Sequence, residues 1–158
     1  LGAFGFLSTG DDVLPGNLGL KDQNVALGWV YSHIPFFGGD RYRVTLFGQS
    51  AGAVSAHMHM FSKISQHSFY AIIAISGTAN VPFAIDDHPE YTFRQTARYA
   101  NITYWDIKET SRVLEELKNL EPYVLLNAGD KLKYWDVDNM VNYRPVVEEP
   151  GPTAFLDR

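Results

Sequence analysis

The sequence predicts an α/β protein built on a parallel sheet, and three observations carry that prediction. Short β-rich runs, Val44–Phe47 and Tyr70–Ile75, alternate with stretches of helical composition, 20–34 and 51–61. The second of those runs, Tyr70-Ala71-Ile72-Ile73-Ala74-Ile75, is continuously apolar, as expected of a strand covered on both faces. At 158 residues, with 46% hydrophobic and 20% charged residues, the chain has the composition of ordinary globular material and the length of one domain or part of one.

Taken in order, Leu1–Leu7 is small, apolar and aromatic and runs into the polar Ser8-Thr9-Gly10-Asp11-Asp12, which predicts a buried strand followed by a turn. After Pro15-Gly16-Asn17, Leu20, Leu27, Val30, Tyr31 and Ile34 recur at intervals of three and four, predicting an amphipathic helix that ends before Pro35 and Gly38-Gly39. Val44–Phe47 predicts a strand, Gly48–Gly52 a sharp turn and Ala51–Phe61 a helix, and the apolar run at 70–75 gives a further core strand. Asp87-His88-Pro89-Glu90 and Asp106-Ile107-Lys108-Glu109 each supply a cap and an acid three residues on, so two helices are expected to start there. The second carries Val113, Leu114, Leu117 and Leu120 on one face and breaks at Pro122, after which Tyr123–Ala128 can add a short helix capped by Gly129. Strands give way to helices near 84–90. Both ends of the chain read as though cut through an element, and Leu1–Leu7 lacks the charged start and cleavage site of a signal peptide.

A net charge of −5 without a basic stripe argues against a nucleic-acid partner, and no run of eighteen apolar residues or basic amphipathic face points to a membrane segment. Cysteine is absent, which removes disulfides, thiol nucleophiles and thiolate metal sites and leaves the compartment undetermined. No phosphate-binding glycine loop occurs, and neither a cofactor nor a metal is implied. The oligomeric state is not legible.

The pattern that carries chemistry is Gly48-Gln49-Ser50-Ala51-Gly52. A serine on a strand-to-helix turn tight enough to present its hydroxyl takes an unfavourable backbone angle, and side chains two residues either side would collide, which calls for glycine at both. The motif alone is weak, since a Gly-Ser turn without chemistry arises by chance. Its setting adds weight: a β-rich run ends at Phe47, a helix follows from Ala51, and that helix's first amides point at the serine, with the Ala51 N–H placed to donate to an oxyanion.

The first half of the chain resembles the type-B carboxylesterase and cholinesterase family. The resemblance rests on Gly5-Phe6-Leu7, Gly16–Gln23, Ala26-Leu27-Gly28-Trp29-Val30, Phe37-Gly38-Gly39-Asp40, Arg43–Gly52 and Ser76-Gly77-Thr78-Ala79. It is weaker over 85–140 and returns at Tyr143-Arg144-Pro145-Val146-Val147-Glu148. It implies an α/β-hydrolase fold, a mostly parallel sheet with helices on both faces, of which this chain is an incomplete central section. Its core is 1–84, followed by a helical region 85–140 and the later Pro-Val-Val segment 141–158. By resemblance Ser50 is the acylating nucleophile of a carboxylic ester hydrolase, Ala51 gives an oxyanion-hole amide, Ser76 hydrogen-bonds near the catalytic triad and Phe83 walls the acyl pocket. Gln49 stands where most members carry Glu, which is reminiscent of invertebrate esterases such as juvenile-hormone esterases, and the missing charge favours neutral esters over cationic ones.

A hydrolase triad of this kind runs Ser, then acid, then His. The last histidine here is His88, and only Asp86 and Asp87 lie between it and Ser50, so the acid, the base and the oxyanion glycines are expected outside these residues and the chain alone is expected to be inactive. The partner implied is a small-molecule ester. The competing reading is a non-catalytic adhesion or scaffold protein on the esterase fold; such proteins usually lose the elbow serine, which is kept here. His57 and His59, two apart on a helix, suit surface or packing roles better than a metal pair. Trp29, Trp105 and Trp135 suit core or gorge-wall roles, and Asn101-Ile102-Thr103 is an N-glycosylation sequon of the kind that also arises by chance.

Overall fold

The computed structural model describes residues 1–134, 137–138 and 141–157. In chain order the elements are α1 (Ala3–Phe6), α2 (Leu18–His33), β1 (Thr45–Gln49), α3 (Ala51–Phe61), β2 (Ala71–Ile75), α4 (Pro89–Tyr99), α5 (Thr110–Lys118), α6 (Pro122–Asp130), β3 (Lys133–Tyr134) and β4 (Val137–Asp138). They form two compact units. One comprises Leu1–Asn17 with Asp86–Val146, the other Leu18–Ile85 with Val147–Arg158.

The second unit holds β1 and β2, which pair in parallel with Thr45 opposite Ala71 and Gln49 opposite Ile75. The connection between them contains α3, which packs on both strands, as a parallel pair requires a crossover. Ala53, Val54, Ala56 and Met58 are its buried apolar residues. The expectation that β2 is covered on both faces is not met: Ile73 is 51% and Ile75 44% exposed, and Phe47 of β1 is 68% exposed. The physical reason is that one helix can cover one face of a two-stranded sheet, so the apolar residues of the other face have nothing to pack on among the described residues. Helix α2 begins two residues before Leu20, the one fully buried residue of its apolar series, and ends at His33 as predicted from Pro35. A 3-10 turn, Ile34–Phe37, follows and is closed by Gly38 at φ 79°, whose N–H reaches Pro35 O at 3.1 Å. Glu148 is buried in this unit, bound to Lys21 Nζ at 2.6 Å and accepting from Phe155 N at 2.9 Å.

The first unit is helical, with an antiparallel β3–β4 pair. Its core gathers Phe93 and Ala97 of α4, Val113, Leu114 and Leu117 of α5, Ala128 of α6, and Ala3, Leu7, Ile102 and Tyr143. The predicted strand at 1–7 is instead the single turn α1, in which Phe6 N donates to Gly2 O at 3.0 Å and Leu7 N to Ala3 O at 3.1 Å. A strand needs a neighbour's backbone to satisfy its N–H and C=O groups. None pairs with this segment among the described residues, and a short apolar run closes its hydrogen bonds locally as readily.

One helix keeps its expected start but takes a different acid there, and two helix boundaries shift. Helix α4 starts at Pro89, but the acid that holds its start is Asp86 rather than Asp87: its carboxylate accepts from His88 N at 3.0 Å and Thr92 Oγ1 at 2.7 Å. Helix α5 starts at Thr110 rather than near Asp106, and the stretch before it is tied to α4 instead, with Arg94 Nη1 donating to the carbonyls of Trp105 (3.1 Å) and Ile107. Helix α6 runs through Gly129 to Asp130. A Cβ on Gly129 would lie 2.9 Å from Tyr143 Cε2, so this glycine serves close packing and not a cap. Tyr143 donates to or accepts from Thr96 Oγ1 at 3.0 Å, and burial raises its pKa. Asn17, fully buried at φ 57°, grips Val146 twice, Nδ2 to O at 2.8 Å and Oδ1 from N at 2.9 Å.

Candidate active site

The site is the junction of β1 and α3. Ser50 lies between them at φ 54° and ψ −119°, a conformation that an L residue adopts at a cost of about 1–3 kcal/mol. Three contacts hold it there. Ser50 N donates to Ile75 O at 2.9 Å, extending the parallel ladder by one bond; Val54 N donates to Ser50 O at 3.0 Å, the first bond of α3; and Gly77 lies against the Ser50 carbonyl, where an added Cβ would come within 2.5 Å of the oxygen. Ser50 is exposed, and its hydroxyl has no hydrogen-bond partner among the described residues.

Ala51, exposed, is the first residue of α3, so its N–H has no intrahelical acceptor and the helix N-terminus faces the serine. Gly48 is buried, and a Cβ there would sit 2.1 Å from Gly52 O. Gly52 differs from expectation: nothing lies within 4 Å of an added Cβ, so only the upstream glycine is sterically required. The second close approach is made by Gly77, whose packing role sequence reasoning missed; its place two residues after β2 was the available signal. Gln49 is exposed at the end of β1. Ser76, directly after β2, also takes a positive φ, 55°, and is exposed. Phe83 follows on the same loop, 40% exposed.

The other residues singled out lie elsewhere. His59 is buried between Ser65 Oγ, at hydrogen-bond contact with Nδ1, and Gln23 Oε1, 3.0 Å from Nε2, with its ring edge-on to Phe155 at 4.9 Å. Burial lowers its pKa from 6.5 to about 4, so it is neutral at pH 7. His57 Nδ1 accepts from Ala79 N at 3.0 Å. His33 stacks on Trp29 at 4.6 Å, and Trp29 is 54% exposed rather than core; Trp105 is half-buried, and Trp135 lies outside the described residues. Asn101 closes α4 in the left-handed region, φ 62°, with its N–H on Arg98 O and the next N–H, of buried Ile102, on Ala97 O. That pair of bonds is a Schellman stop, a position where Asn is the usual substitute for Gly. No helix among the described residues is long and apolar enough to cross a membrane.

A strained serine between a parallel strand and a helix N-terminus is the arrangement of a nucleophile elbow, and the sequence profile of the carboxylesterase family matches residues 1–158. The chain belongs to the carboxylesterase family. Over its full 158 residues this carboxylesterase-family chain is 42% identical to a carboxylic ester hydrolase of Bombus ignitus, covering 27% of that relative. It is 38% identical to venom carboxylesterase-6 of Apis mellifera over 99% of the chain and 28% of the relative. It is 39% identical to a juvenile hormone esterase of Tribolium castaneum, again over 99% of the chain and 27% of the relative. The chain thus spans about a quarter of the length of the relatives it matches.

Proposed function

We propose that these residues form the nucleophile-bearing section of an α/β-hydrolase that cleaves carboxylic esters, with Ser50 as nucleophile. The observation that carries the reading is the backbone of Ser50, φ 54° with an exposed hydroxyl at the head of α3, in a chain of the carboxylesterase family. In the proposed reaction Ser50 Oγ adds to the ester carbonyl carbon as its proton passes to a base. The carbonyl oxygen becomes an oxyanion that the Ala51 N–H stabilises, and collapse expels the alcohol, which takes up the proton. Water then adds to the acyl-serine and releases the acid. None of the described histidines hydrogen-bonds to Ser50, so the base and its orienting acid, like the remaining oxyanion donors, are assigned to sequence beyond these residues, and the 158 residues alone to an inactive state. The half-uncovered apolar sheet fits further strands and helices on both faces in the complete fold. Gln49 beside the serine brings no charge, which fits neutral esters.

The complete translation product is expected to react with a fluorophosphonate serine-hydrolase probe, and Ser50→Ala is expected to abolish labelling. A folded complete protein that fails to label would instead favour the non-catalytic scaffold. Asn101 is proposed as an N-glycan acceptor if the protein is secreted: it is exposed, and so is Thr103. Peptide-N-glycosidase treatment of the native protein, with a mass shift lost in Asn101→Gly, tests it.

A further inference from the structure

The segment that leaves β2 runs along one face of α3. Ser50, Ala53 and His57 are three and four residues apart and therefore share that face, spanning about 10 Å of helix. A Cβ on Gly77 would meet Ser50 O at 2.5 Å and Ala53 Cβ at 3.2 Å. Two residues later, Ala79 N donates to His57 Nδ1 at 3.0 Å. Beyond that point the loop holds itself by local turns, Val81 N to Thr78 O at 3.3 Å and Ala84 N to Val81 O at 2.9 Å. Among the described residues, the bond to His57 is the one hydrogen bond tying residues 77–84 to another element. Because Nδ1 accepts there, the neutral ring carries its proton on Nε2. His57 is half-buried and its ring packs on Phe61 at 5.0 Å, which fixes its orientation.

A ligand reacting at Ser50 sits at the carboxyl ends of two parallel strands, where the loops after those strands make the walls. The loop after β1 is the elbow itself; the loop after β2 is 76–84, which carries the exposed Phe83. We propose that His57 is a positioning residue that clamps the 77–84 loop onto α3 beside Ser50 and thereby sets which acyl groups the site accepts. The selectivity part rests on Ser50 being the nucleophile; the clamp does not.

The test uses the complete protein with His57→Leu, which removes the acceptor, and His57→Asn, whose Oδ1 can take the place of Nδ1. Backbone hydrogen exchange of peptides covering 77–84 is expected to quicken in His57→Leu and return toward wild type in His57→Asn. The ratio of kcat/KM for p-nitrophenyl acetate over the hexanoate is expected to change about fivefold in His57→Leu, the value of one net hydrogen bond, and to be restored in His57→Asn. Unchanged exchange in His57→Leu overturns the clamp. Faster exchange with an unchanged ester ratio, or an Asn variant indistinguishable from Leu, overturns the positioning role. A wild type that does not label at Ser50, or Ser50→Ala with full activity, overturns the nucleophile reading and the selectivity with it, while exchange still decides the clamp.

Discussion

Replacing Gly48 by Ala places a methyl carbon 2.1 Å from Gly52 O, 2.2 Å from Gly52 C and 2.6 Å from Ala53 N. All three are backbone atoms of the first turn of α3, so no side chain can swing aside. Relief requires that turn to move away from β1, and the turn is anchored by the bonds from Ser50 N to Ile75 O and from Val54 N to Ser50 O. Overpacking a well-filled site costs about 1–3 kcal/mol, and each anchoring bond weakened adds about 1 kcal/mol. Gly48→Ala is therefore expected to destabilise by about 3–5 kcal/mol. Gly52→Ala supplies the internal control. Its new methyl meets open space, and Ala exceeds Gly in helix propensity by up to about 1 kcal/mol, so this change is expected to be neutral or to stabilise by about 0.5 kcal/mol. Urea unfolding of the two variants beside wild type, with fluorophosphonate labelling as the functional readout, gives opposite signs for two glycines of one motif. Equal costs at the two positions, or a Gly48→Ala variant within about 0.5 kcal/mol of wild type, would refute the tight turn from which the elbow is reasoned.

Ser50→Gly removes the side chain from a φ of 54° and is expected to raise stability by about 1 kcal/mol while abolishing labelling; a loss of stability would deny the strain. His59 titrates near 4 folded and 6.5 unfolded, so the unfolded chain binds the extra proton between those values. Its contribution is intact above pH 6.5 and is lost as pH falls toward 4, up to about 3 kcal/mol, and His59→Asn should flatten that part of the stability profile measured by urea midpoints. Asn17→Ala leaves Val146 N and O unpaired in a buried site and should cost about 2–4 kcal/mol in chemical unfolding. Asn101→Gly keeps the left-handed helix stop and should leave the melting temperature unchanged or slightly higher; a marked drop would show that the Asn side chain is doing structural work.

What was legible in the sequence was whatever depends on neighbours in the chain. The order of β1, elbow, α3 and β2 follows from runs of apolar residues and from Gly48 and Gly52 flanking Ser50, because backbone sterics and periodicity act over a few residues. The stop of α2 before Pro35 and the apolar face of α5 are local in the same sense. The candidate site residues were read from motif and resemblance, and motif is blind to contacts across chain distance. Gly77 pressing on the Ser50 carbonyl, His57 holding Ala79 and Asn17 gripping Val146 join residues 22 to 129 positions apart, and none of these partners has a pattern of its own. The same blindness made α1 read as a strand, since an apolar run of seven residues takes either form and the choice falls to whether another strand is present to accept its hydrogen bonds. It also assigned a shared role to two glycines that only the packed turn distinguishes: Gly48 faces backbone at 2.1 Å and Gly52 faces open space. Sequence by itself determined which residues could make a strained serine turn at the end of a parallel strand. Tertiary structure decided what holds that turn, because close approach and hydrogen-bond partnership are properties of positions in space that no local pattern encodes.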